Sequence, residues 1–295
     1  MSYKVDNAVI MAAGFSSRFA PLSFEKPKSL VNVKGEILIE RQIRQLREAG
    51  IRDVIVVVGY KKEAFQYLEE KMGVVLVENT EYAIRNNNSS IKAVERYLGN
   101  TYICSSDNYF SENPFEREVE APYYAAEYSA GETAEWCLKT DDEGWITDVT
   151  IGGCGQWYMM GHVFWDKKFS ERFLKILNSS YNAPETAGLL WESIYARHIG
   201  QLKLKMRKYP PNYIFEFDSL DELRRFDDRY KEHSGARFME QIAAQFHCTE
   251  GEIRRCRPWQ QQNGEIQGFL FELSDDIYGC RYANGQIEKL GSVGM

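Results

Sequence analysis

The chain has 295 residues, of which 44% are hydrophobic and 27% are charged, a balance typical of folded globular proteins rather than disordered ones. Acidic residues outnumber basic residues by 43 to 36, and the resulting net charge of −7 disfavours proteins that bind nucleic acid through its phosphates. The longest purely aliphatic stretch covers only residues 54–58, whereas a membrane-spanning helix needs roughly 20 residues, so we expect no membrane span.

Strand and helix patterns alternate over roughly the first 110 residues. The predicted strands cover residues 7–12, 53–58, 74–77 and 101–105, and the helices between them cover 37–49, 61–71 and 89–98. This alternation predicts an α/β fold with a Rossmann-like, doubly wound and mostly parallel sheet. Ligands of such sheets bind at the carboxyl ends of the strands, so polar residues that follow the strands are the candidate site.

From about residue 120 the pattern changes to short strands separated by Gly and Asp turns. The predicted strands cover 122–128, 135–139, 145–151, 158–164, 203–208 and 213–217, and the helices cover 167–177, 186–198 and 219–230. We therefore expect a smaller β subdomain over about residues 120–200, within a first domain of residues 1–232.

A joint at residues 233–235 precedes a short α+β appendage of residues 233–295. Its predicted elements are a helix at 236–247, a capping box at Thr249 and a hairpin of strands 268–273 and 277–282. So few residues fold poorly alone, so we expect the appendage to pack on the first domain or on another chain, with a homodimer as one outcome.

Small residues follow the first predicted strand in the sequence MAAGFSSRFAPLSFEKPKSL, residues 11–30. Backbone N–H groups exposed by such a segment can hold phosphate oxygens. Arg18 and Lys28 add a planar fork and a point charge that suit phosphate. The alternative is a surface loop with incidental charges.

This segment resembles the signature of the sugar-nucleotide-type nucleotidyltransferases. The resemblance rests on Ala-Ala-Gly at 12–14, Arg18, Pro21-Leu22 and the Lys-Pro-Lys of 26–28, and it departs at Ser16, where the family has a second glycine. A backbone φ above zero would cost more at serine than at glycine. The nucleotide-binding residues that the resemblance implies are Ala12, Ala13, Gly14, Phe15, Ser16, Ser17, Gly59, Asn87, Ser90 and Ser106.

The role of Asn87 and Ser90 has a second interpretation. By the resemblance they read the base from the start of a helix, and their amide and hydroxyl groups suit the edge of cytosine. Asn and Ser at such a position are also ordinary helix N-cap residues, and both roles can hold at once.

Three carboxylates stand at predicted strand ends. Asp107 follows the strand at 101–105, and Glu216 and Asp218 end the strand at 213–217, where residues two apart face the same side. Magnesium takes one or two carboxylates together with phosphate oxygens and water, so these residues are candidate Mg²⁺ ligands. The alternative for Asp218 is a helix cap.

Tryptophans are concentrated between residues 130 and 195. Quaternary ammonium groups are bound by aromatic faces with a nearby carboxylate, and packing of the second subdomain is the alternative. The candidate binding residues are Trp136, Trp157, Tyr158, Trp191 and Glu192.

Additional segments indicate which members of this family the chain resembles. Glu135-Trp136, Leu190-Trp191-Glu192 and residues 215–219 resemble segments of bacterial CTP:phosphocholine cytidylyltransferases, and the similarity runs from about residue 7 to 230. It implies a cytoplasmic, Mg²⁺-dependent enzyme that joins CTP and phosphocholine into CDP-choline and pyrophosphate, with Lys28 and Arg18 as catalytic residues. The alternatives are the same chemistry on aminoethylphosphonate, phosphoethanolamine or a sugar 1-phosphate, and a non-catalytic nucleotide sensor. The appendage resembles the beginning of choline-kinase-like N-lobes, without implying kinase activity.

Overall fold

The computed structural model describes residues 2–261 and 264–293. The strands are β1 (Tyr3–Lys4), β2 (Asn7–Ala12), β3 (Asn32–Val33), β4 (Glu36–Ile37), β5 (Val54–Val58), β6 (Val75–Glu78), β7 (Thr101–Ser105), β8 (Asn108–Phe110), β9 (Glu118–Val119), β10 (Tyr123–Thr140), β11 (Ile146–Trp165), β12 (Lys205–Lys208), β13 (Ile214–Glu216), β14 (Arg254–Gln260), β15 (Ile266–Leu273), β16 (Asp276–Arg281) and β17 (Ile287–Ser292). The α-helices are α1 (Leu22–Glu25), α2 (Leu38–Glu48), α3 (Tyr67–Met72), α4 (Asn88–Ala93), α5 (Lys167–Ser180), α6 (Pro184–Ala187), α7 (Trp191–Arg197), α8 (Leu220–Phe226), α9 (Arg229–Glu232) and α10 (Arg237–Phe246). Short 3-10 helices cover Ser17–Phe19, Lys28–Leu30, Lys62–Phe65, Glu95–Tyr97 and Glu250–Glu252.

The chain divides into two compact units. Unit 1 holds the described residues up to Gly14 together with Leu38–Glu216, and unit 2 holds Phe15–Ile37 together with the described residues from Phe217 onward. The segment after the first strand therefore belongs with the C-terminal quarter of the chain. The boundary at 232/233 stays a prediction from the sequence.

A seven-stranded sheet forms the centre of unit 1, in the order β12-β10-β11-β7-β2-β5-β6. All neighbouring pairs are parallel except those that involve β11, which confirms the predicted mostly parallel α/β sheet. All five residues of β5 are buried, as an apolar strand covered on both faces requires.

Strands β10 and β11 differ from the prediction of four short strands. Each strand is long, and their pairing contains several register shifts. Tyr158, for example, is paired with Glu127 in one part of β10 and with Cys137 in another. The predicted short strands fall largely within these two long elements.

Four helices are shorter than their sequence patterns predicted. The pattern at 61–71 is a 3-10 helix followed by α3, and that at 89–98 is α4 followed by a 3-10 helix. The pattern at 186–198 is divided between α6 and α7, and that at 219–230 between α8 and α9. The last division has a clear cause, because the carboxylate of Asp227 accepts hydrogen bonds from the Lys34 backbone N–H (2.7 Å) and the Arg229 side chain. These bonds fix a turn where the helix would otherwise continue.

Unit 2 contains a four-stranded antiparallel sheet in the order β14-β15-β16-β17. The pairing of β15 with β16 confirms the predicted hairpin, and α10 confirms the predicted helix. Ser219 and Thr249 both form capping boxes. No helix in the described residues is long and apolar enough to cross a membrane.

Candidate active site

A cavity of about 160 Å³ lies in unit 1 at the carboxyl ends of β2 and β7, the edge where parallel sheets bind ligands. Met11 and Ser105 line it from those two strands, and Glu216 lines it from the end of β13. Its other walls are Asn87, Ile103, Tyr124, Met159, Met160, Gly161, Val163, Trp191 and Glu192. The cavity therefore combines two carboxylates with an aromatic wall.

Glu192 is the most tightly held polar side chain of the cavity. The Asn87 side-chain amide donates to its carboxylate at 3.0 Å, and the Tyr124 hydroxyl lies 3.5 Å from its other oxygen. The Asn87 side-chain oxygen in turn accepts from the Trp191 backbone N–H at 2.7 Å, which fixes the start of α7. Burial raises the pKa of Glu192 to about 7, because its charged form loses water that the hydrogen bonds only partly replace.

Trp191 is almost fully buried, at 1% exposed, and forms part of the core as well as the cavity wall. Its ring stacks on Tyr124 at 5.7 Å between centroids and meets Trp165 edge-on at 5.1 Å. Trp191 therefore packs in the core and also lines the cavity, and its contact with a ligand stays a prediction.

The other predicted aromatic residues lie on β10 and β11 and are half-buried. Trp136 packs against the unit 1 core and precedes the pair Cys137–Tyr158, next to the cavity residue Met159. The Lys208 ammonium lies 5.0 Å from the centre of the Trp157 ring, so that ring already contacts a cation.

Glu216 and Asp107 are brought close by the pairing of β13 with β8. Glu216 lies opposite Asn108, the residue after Asp107. The carboxylate of Glu127 holds β13 in place by accepting the backbone N–H groups of Tyr213 (3.2 Å) and Ile214 (2.8 Å). Both predicted metal ligands of unit 1 thus lie at the same end of the pair formed by β8 and β13.

Among the predicted nucleotide-binding residues of unit 1, Gly59 has a steric role. Its neighbour Tyr60 donates its backbone N–H to the Ala13 carbonyl at 3.0 Å, and a Cβ on Gly59 would lie 2.9 Å from that oxygen. Ala12 and Ala13 are buried, whereas space is open beside Gly14.

Ser90 and Ser106 are both buried in unit 1. The Ser90 hydroxyl accepts from the Asn79 amide at 3.1 Å, and the Ser106 backbone N–H donates to the Met11 carbonyl at 3.3 Å. Asn87 makes no side-chain cap bond to its own helix, α4. Its side chain instead donates to the Glu192 carboxylate and accepts from the first backbone N–H of α7.

In unit 2, Asp218 joins the two predicted catalytic cations. An Arg18 guanidinium nitrogen lies 2.6 Å from one Asp218 oxygen, and the Lys28 ammonium lies 3.4 Å from the other. The Arg18 side chain is 72% exposed, whereas that of Lys28 is only 4% exposed. One carboxylate therefore orients an exposed and a buried cation together.

Ser16 adopts a left-handed backbone, with φ 52° and ψ 50°, immediately before the 3-10 helix that carries Arg18. The predicted strain at this position is therefore present. Phe15 and Ser17 flank it at the start of unit 2.

The carboxylates fit a metal that shares its coordination with a substrate. The described residues contain no group of three or more His, Cys, Asp or Glu side chains that could hold a metal ion alone. Magnesium uses one or two carboxylates and completes its shell with phosphate oxygens and water. The oxygen donors of Asp107 and Glu216 in unit 1 suit that chemistry, whereas the oxygens of Asp218 in unit 2 contact Arg18 and Lys28.

Tyr124 and Glu127 are the site residues that sequence reasoning missed. Glu127 carried a usable signal, because an acid inside the apolar sequence YYAAEY predicts a buried carboxylate with backbone partners. Tyr124 carried none beyond strand periodicity, which does not say what lies opposite a strand face.

Known proteins resemble this chain in sequence and fold. Residues 8–113 match the family model described as the MobA-like NTP transferase domain. Over 224 residues the chain is 35% identical to a choline-phosphate cytidylyltransferase of Streptococcus pneumoniae, covering 76% of this chain and 98% of that one. It is 38% identical to a 2-aminoethylphosphonate cytidylyltransferase of Lancefieldella rimae, with 76% and 93% coverage. The solved structure of the CTP:phosphocholine cytidylyltransferase from S. pneumoniae superposes with a TM-score of 0.74, at 35% identity, over 77% of this chain and 99% of that one.

Proposed function

The chain belongs to the nucleotidyltransferase family that carries the MobA-like NTP transferase domain, and from this premise we propose that it transfers CMP from CTP to phosphocholine. The products are CDP-choline and pyrophosphate. One observation carries the choice of acceptor: the cavity at the carboxyl ends of β2 and β7 presents Glu192 beside the stacked rings of Tyr124 and Trp191. Such a cavity suits a small cationic head group.

The reaction needs one bond formed and one broken. A phosphate oxygen of phosphocholine attacks the α-phosphorus of CTP, and the bond from that phosphorus to the β-phosphate oxygen breaks as pyrophosphate leaves with the electron pair. No covalent enzyme intermediate is required, because this chemistry depends on positioning and on neutralising phosphate charge.

Lys28 and Arg18 supply positive charge in this proposal. Lys28, which is buried, holds the α-phosphate and the incoming phosphate, and Arg18, which is exposed, holds the leaving pyrophosphate with the N–H groups of residues 14–17. Their shared contact with Asp218 supports this, because it keeps both cations in place before the nucleotide arrives. The two side chains then lose less conformational entropy when CTP binds.

Magnesium is the proposed cofactor, and Asp107 and Glu216 would hold it. Asp218 is the third predicted ligand, and in this structure its two oxygens contact Arg18 and Lys28. When bound, the metal would neutralise charge on the phosphate oxygens. The proposed compartment is the cytoplasm, and a homodimer through the appendage stays a prediction.

Phosphocholine differs from the primary-amine acceptors in its head group. A quaternary ammonium has no N–H to donate, so it depends on ring faces and carboxylate charge, whereas a primary ammonium donates three hydrogen bonds. Aminoethylphosphonate is the second candidate, and the two carboxylates and the Tyr124 hydroxyl at the cavity favour it.

Pyrophosphate release tests the proposal. CTP and Mg²⁺ are mixed with phosphocholine, phosphoethanolamine, aminoethylphosphonate or glucose 1-phosphate, with UTP and ATP as nucleotide controls. We expect the highest kcat/KM with CTP and phosphocholine. If a primary amine gives the highest kcat/KM, the acceptor is that amine and not phosphocholine. If no acceptor gives pyrophosphate release, the nucleotide sensor is favoured.

A further inference from the structure

Aromatic rings connect the segment that carries Arg18 and Lys28 to the appendage, all within unit 2. Phe15 meets Phe24 edge-on at 4.6 Å between centroids, and Phe24 stacks on Tyr282 at the end of β16. Tyr282 in turn contacts Phe238 at 5.4 Å and Phe269 at 5.7 Å. The appendage core therefore reaches a residue of the predicted nucleotide-binding segment.

Glu25 makes a second connection, three residues before Lys28. Its carboxylate accepts the backbone N–H groups of Arg237 at 3.0 Å and Phe238 at 3.1 Å, the first two residues of α10. A carboxylate is stabilised at such a position by the helix dipole and by charge-assisted hydrogen bonds. The helix start of the appendage thus holds the chain next to Lys28.

Further contacts join the appendage to the rest of unit 2. β14 packs beside the 3-10 helix Ser17–Phe19, which contains Arg18. Arg224, which is buried, donates to the backbone carbonyls of Ile253 and Glu250, both at 2.6 Å. These contacts join the appendage to α8 and to the segment that carries Arg18.

We propose that Tyr282 and Glu25 are positioning residues for the phosphate-binding segment, and that the appendage serves as its support. The inference rests on the proposed function, since it assigns residues 15–30 to the nucleotide. Misplacing a phosphate-binding group by about 1 Å costs on the order of 10²-fold in rate. Packing that orders the segment during folding also removes that ordering cost from CTP binding.

The experiment compares Tyr282, which directly follows β16, with Tyr278 within β16. Tyr282→Ala removes the ring that meets Phe24, and Tyr278→Ala is the matched control, because Tyr278 is also half-buried on β16 but packs on Phe246 and Phe271 of the appendage. Each variant is assayed well below its own melting temperature. We expect Tyr282→Ala to raise the CTP KM at least fivefold with the acceptor KM within twofold of wild type. Tyr282→Phe and Tyr278→Ala should keep the CTP KM within twofold.

Equal CTP KM values in Tyr282→Ala and Tyr278→Ala overturn the proposal, because general loosening of the appendage would then explain any change. If Tyr282→Ala does not fold, Glu25→Ala replaces it, with the exposed Glu240→Ala of α10 as its control and the same fivefold threshold. If the wild type transfers CMP to no acceptor, the proposed function fails. Calorimetric titration of the same variants with CTP and Mg²⁺ then decides the inference by the same fivefold criterion in Kd.

Discussion

Asn87 donates its side-chain amide to the carboxylate of Glu192 at 3.0 Å, across 105 positions of sequence. The predicted base-reading residue is thus bonded to the predicted counter-charge of the acceptor. Both belong to the wall of one cavity, so a change at either residue is expected to disturb the other.

Glu192→Gln should change how stability depends on pH. Burial raises the Glu192 pKa to about 7 from a usual value of 4.5, so between these values the folded chain holds a proton that the unfolded chain has released. Stability therefore falls as pH rises through this window, by at most about 3 kcal/mol. Urea unfolding at pH 5 and pH 8 should show this loss in the wild type and a smaller one in Glu192→Gln. Parallel losses in both proteins would contradict the raised pKa.

Lys28→Ala should lower kcat by at least about a hundredfold, because a buried cation at the reacting phosphates is lost. Lys26→Ala is the matched control, since Lys26 belongs to the same Lys-Pro-Lys sequence but is exposed. Its kcat should stay within about fivefold of wild type. Steady-state pyrophosphate release gives both values, and circular dichroism checks the fold. Near-normal turnover in Lys28→Ala would remove this residue from the mechanism.

Trp136 is predicted to contact the head group but is not among the residues that line the cavity. If the head group reaches it, Trp136→Ala should raise the phosphocholine KM about thirtyfold, the equivalent of about 2 kcal/mol for a desolvated cation–π contact. The CTP KM should barely change. Trp145→Ala is the control, because Trp145 is also half-buried but faces Lys205, whose ammonium lies 5.1 Å from its ring centre. Equal effects of the two substitutions on the phosphocholine KM would assign Trp136 to packing alone.

Ser16→Gly should leave stability unchanged or slightly raised. The left-handed backbone of Ser16 costs a non-glycine residue about 1 kcal/mol, which offsets the chain entropy that glycine loses on folding. Ser17→Gly, one residue later in the 3-10 helix, has no such compensation and should lose up to about 1 kcal/mol. Thermal unfolding compares the two. A larger loss in Ser16→Gly than in Ser17→Gly would show that the serine is favoured here by other contacts.

Local patterns predicted the elements of unit 1 because strand and helix periodicities are local. They predicted Glu216 as a site residue because it ends a strand, and Glu192 because it stands beside Trp191 in a tryptophan-rich region; both line the cavity. They could not predict that Asp218 contacts both Arg18 and Lys28, since that depends on how segments 190 and more positions apart pack. The same limit explains Tyr124, whose role is set by the helix that covers it.

The discontinuity of unit 2 has a consequence for synthesis on the ribosome. Residues Phe15–Ile37 emerge early, but their partners in unit 2 begin only at Phe217. At about 5–20 residues per second, roughly 10–50 s pass before the last partner strand, β17, is made. The nascent chain must therefore carry Phe24 without its partner Tyr282 through most of translation.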